Sequence, residues 1–152
     1  MPPAEQALEA VPVIAGWFTT GPEPRLIGSR CPACDSYCFP KQLFFCPNPA
    51  CDCRDLEEVE LSNRGTIWSY TNNCFAPPPP YVAPEPFEPY AVAAVELAAE
   101  RMTVLGQVAT GVDVDALEVG MEVELVVEPL YADADHAYLS WKWRPVAEGS
   151  PA

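Results

Sequence analysis

The sequence is poor in histidine and in positive charge, and each shortage removes a class of function. Its 152 residues include one histidine, His136, set in the polar stretch DADH, where a solvated side chain is expected. A Ser-His-Asp triad or a histidine-based metal centre therefore has nothing to be built from. No Gly-rich phosphate loop is present, and Gly106, Gly111 and Gly120 are spaced as turns between strands rather than as a nucleotide fingerprint. No apolar run approaches the ~20 residues that cross a bilayer, and the opening MPPAEQALEAV lacks the basic start and compact apolar core of an export signal. The expectation is a soluble, cytoplasmic chain with no membrane partner. The 19 prolines argue against long helices, because each removes a backbone donor and clashes with the preceding turn.

The scarcity of bases is regional. The formal charge is −14, from 8 lysines and arginines against 22 acids. Residues 25–54 carry Arg25, Arg30, Lys41 and Arg54 against Asp35 and Asp52, whereas residues 55–152 hold 4 bases against 17 acids. Nucleic-acid affinity rests on lysines and arginines that displace counterions from phosphates, so the second half repels that class of ligand.

Cysteine is what the chain has in quantity. There are seven, an odd number crowded mainly between positions 31 and 53, which favours metal in a reducing compartment over a disulfide framework. Two knuckles define the site: Cys31-Pro-Ala-Cys34 and, after a short excursion, Cys46-Pro-Asn-Pro-Ala-Cys51. Four thiolates suit a tetrahedral zinc ion, and two close pairs on a short hairpin meet at little entropic cost. The second gap is wider than the usual two residues, and Cys53 stands nearby as an alternative to the favoured Cys51. A closed set of four ligands leaves no position for substrate, so the role read here is structural zinc, with rubredoxin-like iron as the rival. Cys38 reads as core and Cys74 as packing, since no base is at hand to activate it as a nucleophile. The carboxylates at Glu57, Glu58 and Glu60, or at Asp113 and Asp115, read as solvated faces.

Beyond the cysteines, alternation and β-branched content predict five strands, over about residues 57–72, 90–98, 102–109, 121–131 and 137–144, with turn chemistry at SNRG, AERM, VDALEVG and DADH. The clearest sets Met121, Val123, Leu125 and Val127 on a core face and Glu122, Glu124 and Glu128 on a wet one. Five short strands suit a small closed barrel of OB type. The expected class is mainly β, divided into an N-terminal helical segment (1–24, its short helix over roughly 4–18), a zinc ribbon (25–56), the barrel (57–146) and a flexible tail (147–152). Trp17 and Phe18 are expected to pack against a neighbour, and SYCFPKQLFF to run as a short strand inside the ribbon.

Residues 74–89, CFAPPPPYVAPEPFEP, cannot form a ladder and are expected as a loop of restricted, polyproline-like conformations. It carries Phe75, Tyr81 and Phe87, with Tyr90 just beyond. These rings sit among prolines that have already lost conformational freedom, so ordering them on a partner is inexpensive. Folding back over the barrel end is the equal alternative.

The order GSRCPAC, FPKQLFFCPNPAC, GTIWSYT, YAVAAVEL, VLGQV, LEVGMEVEL and YLSWKWRPV resembles the OB-fold and zinc-ribbon proteins grouped as domain of unknown function 35, over roughly residues 14–146. The resemblance implies a non-catalytic accessory subunit that binds a thiolase-fold protein of lipid-transfer type. That partner would act on acyl-CoA, by retro-aldol cleavage of steroid side chains or by thiolysis. The resemblance further implies a hetero-tetramer, a possible contact with CoA, and metal ligands at Cys31, Cys34, Cys46 and Cys51. On the residues alone, Arg25, Arg30, Lys41 and Arg54 offer a weakly basic surface for CoA phosphates. An OB-fold nucleic-acid module and a rubredoxin-like electron carrier remain the alternatives.

Overall fold

Alternation of apolar and polar residues decides most of the architecture seen in the computed structural model, which describes residues 7–146. Nine strands are present among them: β1 (Glu9–Pro12), β2 (Ile27–Arg30), β3 (Tyr37–Cys38), β4 (Glu57–Glu60), β5 (Arg64–Asn73), β6 (Tyr90–Leu97), β7 (Met102–Val108), β8 (Glu122–Ala132) and β9 (His136–Pro145). A single 3-10 turn, Val114–Ala116, precedes β8.

Strands β5 to β9 form one sheet in the order β9-β7-β6-β5-β8, and the pairing of β9 with β8 closes it into the five-stranded OB barrel. Closure removes most of the unpaired edge that an open sheet would expose. Val123 and Leu125 point inward and are buried, while Glu122 and Glu124 face out and meet Arg64 and Arg144. The core they enter contains Ile67, Val95, Leu97, Val104 and the fully enclosed Trp143. Gly106 lies inside β7 rather than in a turn, because Trp143 occupies the space a side chain there would need.

A second sheet, β3-β2-β4, carries the cysteine region. The span expected as one strand over 57–72 is therefore two. Residues 57–60 pair with β2, from Ile27 opposite Glu60 to Arg30 opposite Glu57, and only after Leu61, Ser62 and Asn63 does the chain enter the barrel. The strand expected through SYCFPKQLFF shrinks to Tyr37 and Cys38, since Pro40 brings no N–H to extend the ladder.

The expected N-terminal helix is not formed. Residues 1–6 lie outside the described part, and residues 9–12 make β1, which runs parallel to β9 with Glu9 opposite His136 and Pro12 opposite Leu139. Pro12 and the flanking Val11, Val13 and Ile14 disfavour a helix. The edge of β9 supplies a better partner, with the Val13 N–H donating to the Leu139 carbonyl at 2.8 Å. Trp17 and Phe18 then pack as expected. Trp17, Phe18 and Phe39 all reach the Trp141 ring, at centroid distances of 5.9, 5.9 and 5.6 Å. Through this cluster the ribbon leans on the barrel.

Candidate metal centre and partner-facing surface

The first knuckle grows out of β2. The Cys31 N–H donates to the Ser36 carbonyl at 2.8 Å, and the Asp35 N–H donates back to the Cys31 carbonyl at 2.9 Å. Closing so tight a turn puts Asp35 at φ +60°, a left-handed conformation that aspartate tolerates better than most residues. The second knuckle is held by the Cys46 N–H on the Cys53 carbonyl and the Cys51 N–H on the Asn48 carbonyl, each at 3.0 Å. Asn48 completes it, its side-chain oxygen accepting from the Ala50 N–H and its own N–H pointing at Cys46 Sγ.

The two turns bring the Sγ atoms of Cys31, Cys34, Cys46 and Cys51 within 4.8 Å of one another. Cys31 lies 3.8 Å from Cys51 and Cys34 lies 3.4 Å from Cys46. These separations are too long for disulfides. They match the edge of about 3.8 Å for a tetrahedron whose metal–sulfur bonds are about 2.3 Å. The donor set thus fits a metal ion such as zinc. The Ser36 hydroxyl and N–H beside Cys34 lower its pKa to about 6, whereas burial pushes Cys46 up to about 12. Four sulfurs this close need a cation to stay deprotonated together.

Of the remaining cysteines, Cys53 turns its thiol toward the Asp55 carbonyl while its own carbonyl braces Cys46. Cys38 sits 3.0 Å from the buried Ser29 hydroxyl, and Cys74 is exposed beside Asn72. His136 is half-buried at the start of β9, 3.6 Å from Glu9 and 3.9 Å from Asp133, so strand pairing rather than solvent sets its surroundings. The ribbon bases are largely engaged by the chain itself: Arg30 with Asp35 and Glu57, Lys41 with Glu58, and Arg25 with the Leu61 carbonyl.

The proline-rich loop is structured by its own rings. Tyr81 stacks on Tyr90 with centroids 6.0 Å apart, Phe87 meets Tyr90 edge-on at 6.2 Å, and Gln107 donates to the Tyr81 hydroxyl at 3.3 Å. Burial, with Tyr81 alongside, pushes the Tyr90 phenol up to about 12. Phe75 alone of the four faces solvent, 75% exposed. Other exposed apolar residues, which sequence reasoning does not single out, include Phe44 and Phe45 on the ribbon, Trp68 on β5, Leu105 on β7 and Val119 ahead of β8. The FF pair closes the expected SYCFPKQLFF strand, which ends at Cys38 instead. Trp68 and Leu105 fall within predicted strands, and alternation from Ile67 and Val104 places both on the outer side.

Fold and site together define a small OB-barrel protein with a four-cysteine cluster, suited to a metal ion, in a ribbon packed against it. The chain belongs to the DUF35 family. A family model described as the ChsH2 C-terminal OB-fold domain matches residues 58–128. A DUF35 domain-containing scaffold protein of Pyrococcus furiosus is 35% identical over 80% of this chain and 84% of its own length. A protein of the same description from Methanothermobacter thermautotrophicus is 33% identical over 79% and 86%. A probable enoyl-CoA hydratase alpha subunit of Thermomonospora curvata is 36% identical over 80% of this chain, which spans only 34% of that longer protein. Among solved structures, a chain of the Ltp2-ChsH2(DUF35) aldolase is similar, with a TM-score of 0.58 and 31% identity over 80% of this chain and 84% of that one.

Proposed function

We propose that the chain is a non-catalytic accessory subunit that binds and stabilises a thiolase-fold enzyme of lipid-transfer type acting on acyl-CoA. The observation that carries this reading is the similarity, over four-fifths of its length, to a chain of an aldolase assembly. The scaffold descriptions of the two archaeal relatives support a partner role. Carbon-carbon cleavage, by retro-aldol reaction on a steroid side chain or by thiolysis, is the reaction assigned to the partner. The expected assembly is a hetero-tetramer, with possible contact to CoA.

In this reading Cys31, Cys34, Cys46 and Cys51 hold one structural zinc. The ion supplies folding free energy rather than Lewis acidity, since four protein ligands fill its coordination. Thiolates kept reduced in this way suit the cytoplasm. Among the described residues no helix is long and apolar enough to cross a membrane. Phe75, Tyr81, Phe87 and Tyr90 belong to the partner-facing loop. Phe75 is the free anchor, while Tyr81, Phe87 and Tyr90 pack on one another.

Co-expression with a thiolase-fold protein of lipid-transfer type from the same organism tests the reading. The two are expected to co-purify and to stay associated at micromolar concentration, with carbon-carbon cleavage in the complex and none in the isolated chain. Turnover of a thioester by this chain alone would end the proposal.

A further inference from the structure

The barrel wears two unlike coats. The outer side of β8 carries Glu122, Glu124 and Glu128, matched by Arg64, Arg144 and Lys142. The outer side of β5, β6 and β7 is nearly free of charge. Among the outward side chains at positions 66–71, 92–96 and 103–107, Glu96 is the only ionised one. At the centre of this face lies Ala94, only 9% exposed, with Ser69 beside it on β5 and Leu105 beside it on β7. The β5–β6 register slips between Ile67 and Ser69. A bulge of this kind sets two residues against one and re-aims side chains; here it adds Trp68 next to Ser69 on the outside. Trp68 and Leu105 are each 64% exposed, so a small residue forms a floor between two large apolar walls.

Resting on the accessory-subunit reading, we propose that the outer face of β5–β6–β7, with Trp68 and Leu105 as anchors over Ala94, is the surface that docks the larger enzyme subunit. Interface centres are depleted in charge and enriched in tryptophan, and exposed aromatic anchors carry most of the binding energy. The face continues into the loop through Gln107, an outward residue of β7 that holds the Tyr81 hydroxyl. Charge identifies the occupant as a different protein. Two copies of a chain of net charge −14 repel, and self-pairing through this face would place Glu96 near its own copy. The matching surface is apolar, with a lysine or arginine opposite Glu96.

The test is titration of the thiolase-fold subunit used in the co-expression test against this chain and its variants by calorimetry. Trp68→Ala and Leu105→Ala are each expected to weaken binding at least tenfold, and the double variant to abolish it at micromolar concentration. Glu96→Lys is expected to weaken it severalfold. Both anchors are exposed, so melting temperature and metal content should stay at the wild-type values, and the charge variant gives an independent reading if Trp68→Ala folds poorly. Wild-type binding with an unaffected double variant overturns the assignment of this face and leaves the accessory role standing. Absence of wild-type binding overturns both. Concentration-dependent self-association of the wild type that the double variant abolishes overturns the choice of occupant.

Discussion

Glu100 accepts two hydrogen bonds from Ser62, one from its N–H and one from its hydroxyl, both on Oε1 at 2.8 Å. Ser62 lies in the three-residue link between the ribbon strand β4 and the barrel strand β5, and Glu100 lies in the β6–β7 turn. The contact therefore ties the ribbon exit to the barrel body. Glu100 is buried, and its Oε2 has no hydrogen-bond partner among the described residues, so the carboxylate depends on Ser62 for its compensation. Glu100→Ala should destabilise the protein by about 1–3 kcal/mol, because it strands the Ser62 donors in a half-buried site. Glu100→Gln retains an acceptor and should lose less. Urea unfolding with a fixed m-value checks the order, and equal losses in the two variants would contradict it.

The four-sulfur cluster makes a sharper prediction about identity. If the cluster holds the proposed zinc, serine at Cys31, Cys34, Cys46 or Cys51 should abolish metal binding and melt the β3-β2-β4 sheet, because metal affinity and ribbon folding are the same free energy. Serine at Cys53 or Cys38 should keep the metal, since Cys53 supports the site through its carbonyl and Cys38 contacts Ser29. Elemental analysis of the purified variants reads this directly. Chelation of the wild type should abolish ribbon signals in NMR before those of Val95 and Trp143 in the barrel core.

Much of this cluster is legible in the sequence because it is local: the prolyl knuckles close by bonds between residues two to seven positions apart. The barrel is legible for a similar reason, since each strand announces its inner face by period two, as in Val123 and Leu125. What sequence hides is chosen by tertiary partners. Residues 9–12 become a strand because β9 offers a parallel edge, an interaction across more than a hundred residues that no window of sequence contains. The same holds for residues 57–60, whose EEVE pattern fits either sheet and is claimed by β2. The outer-face anchors are not legible in the sequence, because period two says which side a residue faces, and only the assembled sheet shows that Trp68 and Leu105 flank the same alanine.

Asp133 offers a titration test. The Tyr138 hydroxyl donates to its carboxylate at 2.7 Å, and the N–H groups of Asp135 and His136 donate at 2.9 and 2.8 Å. Together, Tyr138 first, they lower its pKa to about 2. A carboxylate depressed in the folded state contributes stability that is fully present above its unfolded pKa of about 3.9. That contribution fades as pH falls from there through about 2. Tyr138→Phe should raise the Asp133 pKa and shorten this window from below. Carbon-detected NMR titration of the side chain measures both values, and an unchanged midpoint in the variant would assign the depression to the backbone donors alone.

The last prediction concerns Gly106, whose lack of a side chain lets β7 pack close against two tryptophans. A Cβ there would lie 2.8 Å from Trp143 Cδ1 and 2.9 Å from Trp141 Nε1. Trp143 is fully enclosed and has nowhere to go. Trp141 is half-buried and can move, but its indole N–H donates to the Leu105 carbonyl at 3.1 Å and its ring holds Trp17 and Phe39. An added methyl group must therefore either strain the core or push Trp141 off Leu105 and loosen the ribbon from the barrel. Overpacking of this kind costs about 1–3 kcal/mol. Gly106→Ala should accordingly lower the unfolding midpoint while leaving the metal bound, because the cysteine cluster is closed by its own knuckles. If Trp141 is the residue displaced, Trp141→Phe in the same chain removes the clashing nitrogen and the two losses fall short of additive, a non-additivity that a double-mutant cycle resolves. Strict additivity would place the strain on Trp143 instead.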